Sequence, residues 1–180
     1  MLRLIYTVML GLVGAVVVHI AVLLLVPAYS AHDAWARLSE RASAFQVTKI
    51  AEAGGNDAFS KGADPLFASI ACRFALGTGI AHFVAGGDVP FWSVSVYDRR
   101  GQNIYSFNDR TATDRKLDLV IATPVQMVEL RKELPDEYAA SIFVETEERE
   151  GIVVARAFVP DESWSGIVEA FLESAECRQE

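Results

Sequence analysis

The sequence has few cysteines and more acidic than basic residues. Its two cysteines are 105 positions apart, and no CxxC or Cys/His spacing accompanies them, so no zinc site is predicted. Lys and Arg number 16 against 24 Asp and Glu, which gives a net charge of −8. This balance argues against a nucleic-acid-binding protein, because such domains usually present a basic surface. With 12 Gly and 6 Pro and an apolar content of 52%, the chain is neither collagen-like nor disordered.

Motifs for nucleotide binding and nucleophilic catalysis are also missing. Gly77-x-Gly79 lacks the rest of a dinucleotide fingerprint, and neither GxxxxGK[ST] nor GxSxG occurs. His82 alternates with apolar neighbours, which predicts a histidine on a sheet surface. Four glutamates between positions 145 and 150 are bunched rather than spaced as calcium ligands, so they indicate a solvated loop. We therefore predict no catalytic residue, no cofactor and no metal.

One long apolar run stands out. Residues 4–26 include 19 apolar residues and no charge, and 23 residues of helix measure about 34 Å, enough for a hydrocarbon core of about 30 Å. This predicts a single-pass transmembrane anchor over residues 1–28. The alternative is a signal peptide cleaved at Ala28-Tyr29-Ser30, but its apolar region would normally be about 7–15 residues long.

The cysteines decide the orientation of the anchor, because the flanking arginines do not. Arg3 lies on one side of the span, and Arg37 and Arg41 lie on the other among acidic residues. A disulfide between Cys72 and Cys177 would place the domain in an oxidising compartment, which for a bacterial chain is the periplasm. It would join the first strand of the domain to its last helix. The alternative is two buried thiols in a reducing cytosol.

The rest of the chain predicts an α+β domain with a mainly antiparallel sheet. Pro27 is predicted to end the anchor, and residues 29–63 to form a juxtamembrane helix followed by a linker near 54–64. The domain occupies residues 64–180, where period-two alternation predicts strands. Asp98 and Gly101 fit a type I turn, which predicts a hairpin. A second hairpin is predicted between 141–145 and 152–159, the latter apolar on both faces as in a central strand. The predicted strands are 70–76, 80–85, 91–97, 103–107, 117–121, 141–145 and 152–159.

Two helices complete this prediction. Thr123 is an N-cap, Pro124 takes the first helical position, and Gln126 sits where it closes a capping box. Pro135 is predicted to end this helix. A last helix opens after Pro160 and carries apolar residues spaced three and four apart.

Polar residues concentrate at the two ends of the first hairpin. Arginine side chains there have the fork geometry that binds carboxylates or phosphates, and Asn108 or Asp109 would fix their orientation. The alternative is a hydrogen-bonded turn with solvated charges, because the acidic residues nearly neutralise the arginines. The candidate binding residues are Tyr97, Arg99, Arg100, Tyr105, Asn108, Asp109 and Arg110.

Five separated motifs occur in one order along the chain. They resemble the domain of unknown function 1254 family in its short membrane-anchored alphaproteobacterial form, over residues 64–178 and the anchor. In longer relatives a domain of unknown function 1214 follows, so the resemblance implies a separately encoded partner that supplies it. The resemblance implies no catalytic residue. The motifs are CRF at 72–74, PFWSVSVYDRRG at 90–101, YSFNDRT at 105–111, TP with LRK at 123–132 and VPDESW at 159–164.

Two functions follow as hypotheses, beside a purely structural role in the cell envelope as a third. We expect a single-pass inner-membrane protein whose periplasmic C-terminal domain is a binding module for an envelope protein. The alternative is a small hydrolase- or lyase-like enzyme with a site near Tyr97, Asp98, Tyr105 and Arg110. An enzyme would bring polar side chains together in a concave pocket, whereas a binding module would present an apolar patch or an unpaired edge strand.

Overall fold

The computed structural model describes residues 1–55 and 64–180, apart from the side chains of residues 27–33. Most of the predicted linker, residues 56–63, thus lies outside the described residues. The chain begins with helix α1 (Leu2–Arg41), and its segment Leu2–Val26 is long and apolar enough to cross a membrane. None of that segment is buried against the rest of the protein, as a membrane anchor requires.

Helix α1 does not end at Pro27 as predicted, but continues to Arg41. A proline inside a helix removes one backbone hydrogen bond, and the helix forms on both sides of it nevertheless. The end of α1 packs on the domain, where Leu38 is buried against three apolar side chains of a β-sheet and Trp35 packs beside them. The predicted juxtamembrane helix is therefore the last part of α1, held by the apolar residues that predicted it.

The described residues contain nine strands in two sheets. The strands are β1 (Val47–Ala51), β2 (Phe67–Ala75), β3 (Ala81–Ala85), β4 (Trp92–Asp98), β5 (Asn103–Asn108), β6 (Leu117–Ala122), β7 (Ile142–Glu145), β8 (Glu150–Phe158) and β9 (Glu176–Gln179). The five-stranded sheet A has the order β1-β2-β8-β4-β5 and is antiparallel throughout, and the four-stranded sheet B has the order β7-β6-β3-β9. The α+β fold, the β4–β5 hairpin and the central place of β8 confirm the predictions.

The predicted second hairpin is wrong. Strand β7 pairs in parallel with β6 in sheet B, whereas β8 lies between β2 and β4 in sheet A. A parallel pair needs a crossover connection, and helix α2 (Pro124–Lys132) supplies it between β6 and β7. The acidic loop after β7 therefore carries the chain from one sheet to the other instead of closing a hairpin.

The N-terminus of α2 has the predicted cap. The Thr123 hydroxyl accepts a hydrogen bond from the Gln126 backbone N–H, and the Gln126 side chain reaches back to the Thr123 backbone N–H, which completes a capping box. The Gln126 amide also donates to the Gly79 carbonyl at 2.9 Å. This one side chain thus joins α2 to the loop that precedes β3.

The core lies between the two sheets. Val94 and Val96 of sheet A and Leu119 and Ile121 of sheet B have essentially no exposed surface. Helix α3 (Ser165–Glu173) adds apolar side chains, including Phe171, to this core, and α2 packs on the outer face of sheet B.

A disulfide crosses this core. Cys72 of β2 and Cys177 of β9 are bonded, with their Cα atoms 6.5 Å apart, within the usual range for a disulfide. The predicted bond is thus present, but Cys177 lies in a short strand after α3 rather than in the last helix. It joins sheet A covalently to sheet B.

Gly151 occupies a point of close approach near the start of β8. A Cβ atom at this position would lie 2.3 Å from the Tyr97 carbonyl oxygen and 2.5 Å from the Phe74 ring. The lack of a side chain at Gly151 therefore allows β8 to pair closely with both neighbouring strands.

Candidate functional site

The candidate binding residues lie at opposite ends of the β4–β5 hairpin. Strand β5 has six residues, or roughly 20 Å at about 3.3 Å per residue. Tyr97, Arg99 and Arg100 lie at or beside the turn, whereas Asn108 ends β5 at its far end and Asp109 and Arg110 follow it. The structure thus separates the predicted residues into two groups and does not bring them together around one pocket.

The hairpin turn is organised by Asp98. Its buried carboxylate accepts hydrogen bonds from the backbone N–H groups of Arg100 at 2.8 Å and Gln102 at 2.7 Å. Gly101 has a φ of 77°, a conformation that glycine adopts without strain. These contacts fix the backbone that carries Arg99 and Arg100, as the predicted turn requires.

Arg99 connects the turn to α1. Its guanidinium forms an ion pair with Glu150 at 2.9 Å and lies 5.1 Å from the centre of the Trp35 ring. The Arg73 guanidinium lies over the same ring at 5.3 Å and donates to the Ala42 carbonyl at 2.9 Å. Arg99 is therefore engaged in holding α1 to sheet A, a contact that the sequence hypothesis did not include.

At the far end of the hairpin, Asp109 pairs with Arg115 rather than orienting Arg110. The two side chains meet at 2.7 Å, and the Asp109 side chain is 5% exposed, with its second oxygen buried and lacking a hydrogen-bond partner. Arg115 has a φ of 58°, and its carbonyl accepts the indole N–H of Trp92 at 2.9 Å. Asn108 accepts a hydrogen bond from the Arg110 backbone N–H. These residues thus order the chain that leaves β5.

An open depression of about 340 Å³ lies at this end of the hairpin. Arg110 and Arg115 line it with Asp109, and Pro90 and Phe91 form its apolar wall. Two cations and one carboxylate line this depression, so its lining has a net positive charge, but one of the cations, Arg115, is already paired with Asp109.

Tyr97 belongs to a hydrogen-bonded network on the outer face of sheet A. The Ser106 hydroxyl donates to Ser95 at 2.9 Å, and the Tyr97 phenol lies within reach of the Ser95, Arg156 and Asn103 side chains. Burial by itself would raise the pKa of the phenol, but the hydrogen bonds from Ser95 and Arg156 and the Arg156 charge hold that pKa below its ordinary value.

Arg156 is the residue that the sequence predictions missed. It is a charged residue in the middle of β8, between two strands, in a segment otherwise apolar from Ile152 to Phe158. A lone charge in a central strand is unusual because charged side chains are seldom buried without a partner. That interruption of the apolar pattern was the signal available in the sequence.

His82 is buried rather than exposed on a sheet surface as predicted. It lies on the outer face of sheet B, as the alternation requires, but its side chain is only 7% exposed, and Tyr138 packs edge-on against the ring at 5.1 Å. Its two ring nitrogens lie 3.0 Å from Asp118 and 3.5 Å from Glu180. Among the described residues, no group of three or more His, Cys, Asp or Glu side chains is arranged to hold a metal ion.

Tyr138 and Glu180 are coupled beside this histidine. The Tyr138 hydroxyl donates to the Glu180 carboxylate. Burial raises the pKa of Tyr138, and the bond to Glu180 adds to this, whereas the same bond lowers the pKa of Glu180. These contacts fasten the end of the chain to the outer face of sheet B.

No protein-family model and no curated protein matches the sequence. The fold is similar to the crystal structure of the VPA0106 protein from Vibrio parahaemolyticus, with a TM-score of 0.57 and 11% identity over 84% of this chain. An uncharacterized protein from Burkholderia cenocepacia has a TM-score of 0.49 and 13% identity over 79% of this chain. The chain spans 35% and 36% of the lengths of these two proteins. The first similarity establishes a shared fold with a part of a longer protein.

Proposed function

We propose that this protein is a single-pass inner-membrane protein that holds a partner-binding domain in the periplasm. The apolar segment Leu2–Val26 supports the anchor, because none of it is buried within the protein and a contiguous apolar surface of this size is unfavourable in water. The Cys72–Cys177 bond supports the periplasm, because disulfides form and persist in oxidising compartments.

The open edge of β5 is the observation that carries the binding function. An edge strand presents unpaired backbone N–H and C=O groups, and natural proteins usually protect such edges with charges, prolines, bulges or very short strands. Strand β5 contains neither a charged residue nor a proline. The pairing of β5 with β4 is irregular only near the turn, at Ile104, and residues 105–108 pair regularly with β4.

The other three edge strands are protected. Strand β1 carries Lys49 and a bulge before Ala51. Strands β7 and β9 have four residues each, and charged side chains occur in both, namely Glu145, Glu176 and Arg178. Of the described edges, β5 therefore offers the most favourable site for an added strand.

The side chains of β5 are also suited to binding an added strand. Tyr105 is 44% exposed on this edge and touches Phe107, which is buried in the core. In strand addition, backbone hydrogen bonds supply affinity and alternate side chains supply specificity. We expect a partner segment to add to β5 and to place an apolar side chain against Tyr105.

Site-specific crosslinking tests this proposal in membranes of the source bacterium. A photoreactive phenylalanine analogue at Tyr105 should give a discrete adduct, whereas the same analogue at Val125, which is 74% exposed on α2, should not. The Tyr105→Lys variant places a charge on the edge and should abolish co-purification of the partner, whereas Val125→Lys should leave it unchanged. Equal adducts from both positions would contradict strand addition at β5.

The compartment has its own test. Alkaline phosphatase fused after Glu180 should be active, because that enzyme needs its disulfides to fold. A fluorescent protein that folds only in the cytosol should be dark at the same position. The opposite pair of results would reverse the proposed topology.

We also propose membership of the domain of unknown function 1254 family and a separately encoded domain of unknown function 1214 protein as the partner. The motif order supports the family, and the similarity of this fold to a part of the longer Vibrio parahaemolyticus protein supports a domain that works beside further domains. Mass spectrometry of the Tyr105 adduct tests this identity, and an adduct with an unrelated protein would refute it.

A further inference from the structure

The outer face of sheet A carries a cation next to a row of aromatic rings. Arg156 of β8 lies opposite Ser69 of β2 and Ser93 of β4. Two residues along the strand, Phe158 lies 5.4 Å from Phe67 between ring centres. We call Arg156, Ser69, Ser93 and the rings of Phe67, Phe91 and Phe158 the Arg156 shelf.

The Arg156 shelf is bounded on two sides. The Phe67 ring also meets Phe91 edge-on at 6.4 Å, so three rings form one side. On the other side, Val154 is covered by Leu38 of α1. Ser69 is buried on the floor between these walls. The polar floor thus lies between an aromatic wall and an aliphatic wall.

Arg156 has hydrogen-bonding capacity to spare. The residue is half-buried, and its positive charge acts on the Tyr97 phenol. In the part of the chain that the structure describes, no carboxylate lies within ion-pair distance of it. A guanidinium has five N–H donors in a fork that matches a carboxylate, and the flanking serine hydroxyls are further donors. A carboxylate is therefore the group that the floor of the shelf fits best.

We propose that the Arg156 shelf binds an aromatic carboxylic acid, with its carboxylate on Arg156 and its ring against the phenylalanine row. The Cα atoms of Arg156 and Phe158 are about 7 Å apart along the strand, so both side chains stand on one face of the sheet within the length of a small aromatic acid. Offset or edge-to-face contacts with the three rings would favour an aromatic over an aliphatic group. This ligand site is separate from the β5 edge and does not depend on it.

Calorimetry with the full chain in lipid nanodiscs tests the site, with empty nanodiscs titrated in parallel. The probe is 3-phenylpropionate, compared with the neutral 3-phenylpropanamide and with butyrate, which has no ring. We expect the probe to bind at least about tenfold more tightly than either comparison compound, because each lacks one of the two contacts.

Variants of Arg156 make the test specific. Arg156→Gln should weaken binding of 3-phenylpropionate by at least about tenfold, and Arg156→Lys should retain part of it, since lysine keeps the charge but loses the fork. Arg149→Gln is the matched control, because Arg149 is an exposed arginine in the loop between β7 and β8, and the affinity of this variant should equal that of the unmodified protein. Thermal unfolding of each variant establishes that the fold is kept.

Tyr97 provides a second readout. A carboxylate bound to Arg156 would offset the positive charge that favours the Tyr97 phenolate. Saturating 3-phenylpropionate should therefore raise the pH at which Tyr97 ionises. The Tyr97→Phe variant identifies this signal by difference absorbance, and Arg156→Gln should remove the ligand-induced change. No binding by the unmodified protein at up to about 10 mM, or unchanged binding by a folded Arg156→Gln variant, would overturn the proposal.

Discussion

Removal of the disulfide should destabilise the domain by an amount close to its whole stability. The bond links residues separated by 105 positions, and the chain-entropy model assigns a loop of that length about 4.8 kcal/mol. Cys72 is fully buried and Cys177 nearly so, so a Cys72→Ala/Cys177→Ala variant also leaves a small cavity that costs about 1 kcal/mol. The sum of about 6 kcal/mol equals the lower end of the range of roughly 5–15 kcal/mol that stabilises an ordinary domain.

Urea unfolding of the full chain in mild detergent measures this loss. All three tryptophans lie outside the apolar span, at positions 35, 92 and 164, so their fluorescence reports on the domain. With a slope of about 2 kcal/mol per molar urea, the midpoint should fall by about 2–3 M in the double variant and comparably in the native protein after reduction. Each single variant should lose as much as the double variant, because either one removes the same bond.

Two results would refute this reasoning. Native protein that yields two alkylated thiols on non-reducing mass spectrometry would mean that the bond does not form. Coincident urea midpoints with and without reductant would mean that the bond adds nothing to stability.

Three further predictions concern single residues. Gly151→Ala should lower the free energy of unfolding in urea by about 1–3 kcal/mol, because the added methyl group would meet the backbone. Gly166→Ala is the control: its methyl group would meet nothing within 4 Å in α3, and it should raise the free energy of unfolding by about 0.5–1 kcal/mol. Equal effects of the two substitutions would contradict the close approach at Gly151. Thr123→Ala should cost about 1 kcal/mol by loss of the cap, and an unchanged midpoint would show that the cap is dispensable. Arg156→Gln should raise the pKa of Tyr97, followed by phenolate absorbance, since the charge that favours the phenolate is removed; an unchanged pKa would mean that Arg156 does not reach the phenol.

Local signals in the sequence predicted the elements that depend on local chemistry. The turn at Asp98 and Gly101 and the cap at Thr123 form as expected, because each depends on residues within four positions of one another. The apolar content of residues 152–159 likewise predicted a central strand, since both of its faces are covered.

Local signals could not predict how strands that are distant in the sequence pair with one another. The strand at 141–145 was assigned to a hairpin because it precedes another strand, although α2 between two strands is typical of a parallel crossover. Strands β1 and β9 have five and four residues, too few to show a clear alternation. Their pairing depends on neighbours that are distant in sequence.

The candidate site was predicted only in part, because it too depends on residues that are distant in the sequence. The sequence placed arginines and acids on one hairpin, but the partners of two of them, Trp35 for Arg99 and Arg115 for Asp109, lie outside the β4–β5 segment. The Arg156 side chain comes near the Tyr97 phenol only because β8 pairs with β4, where Ser93 lies opposite Arg156 and Tyr97 lies further along the same strand. Such neighbours become visible only when the strand order is known.

The contact between the end of α1 and sheet A also sets where a soluble fragment must begin. A fragment starting at residue 64, where the sequence predicted the domain to begin, would lack β1 and would uncover Ala71, Ile152 and Val154, which Leu38 covers. A fragment starting just before Trp35 would retain this cover without the apolar span. For the same reason, proteolytic release between residues 27 and 33 would leave a folded domain with its hydrophobic surface still protected.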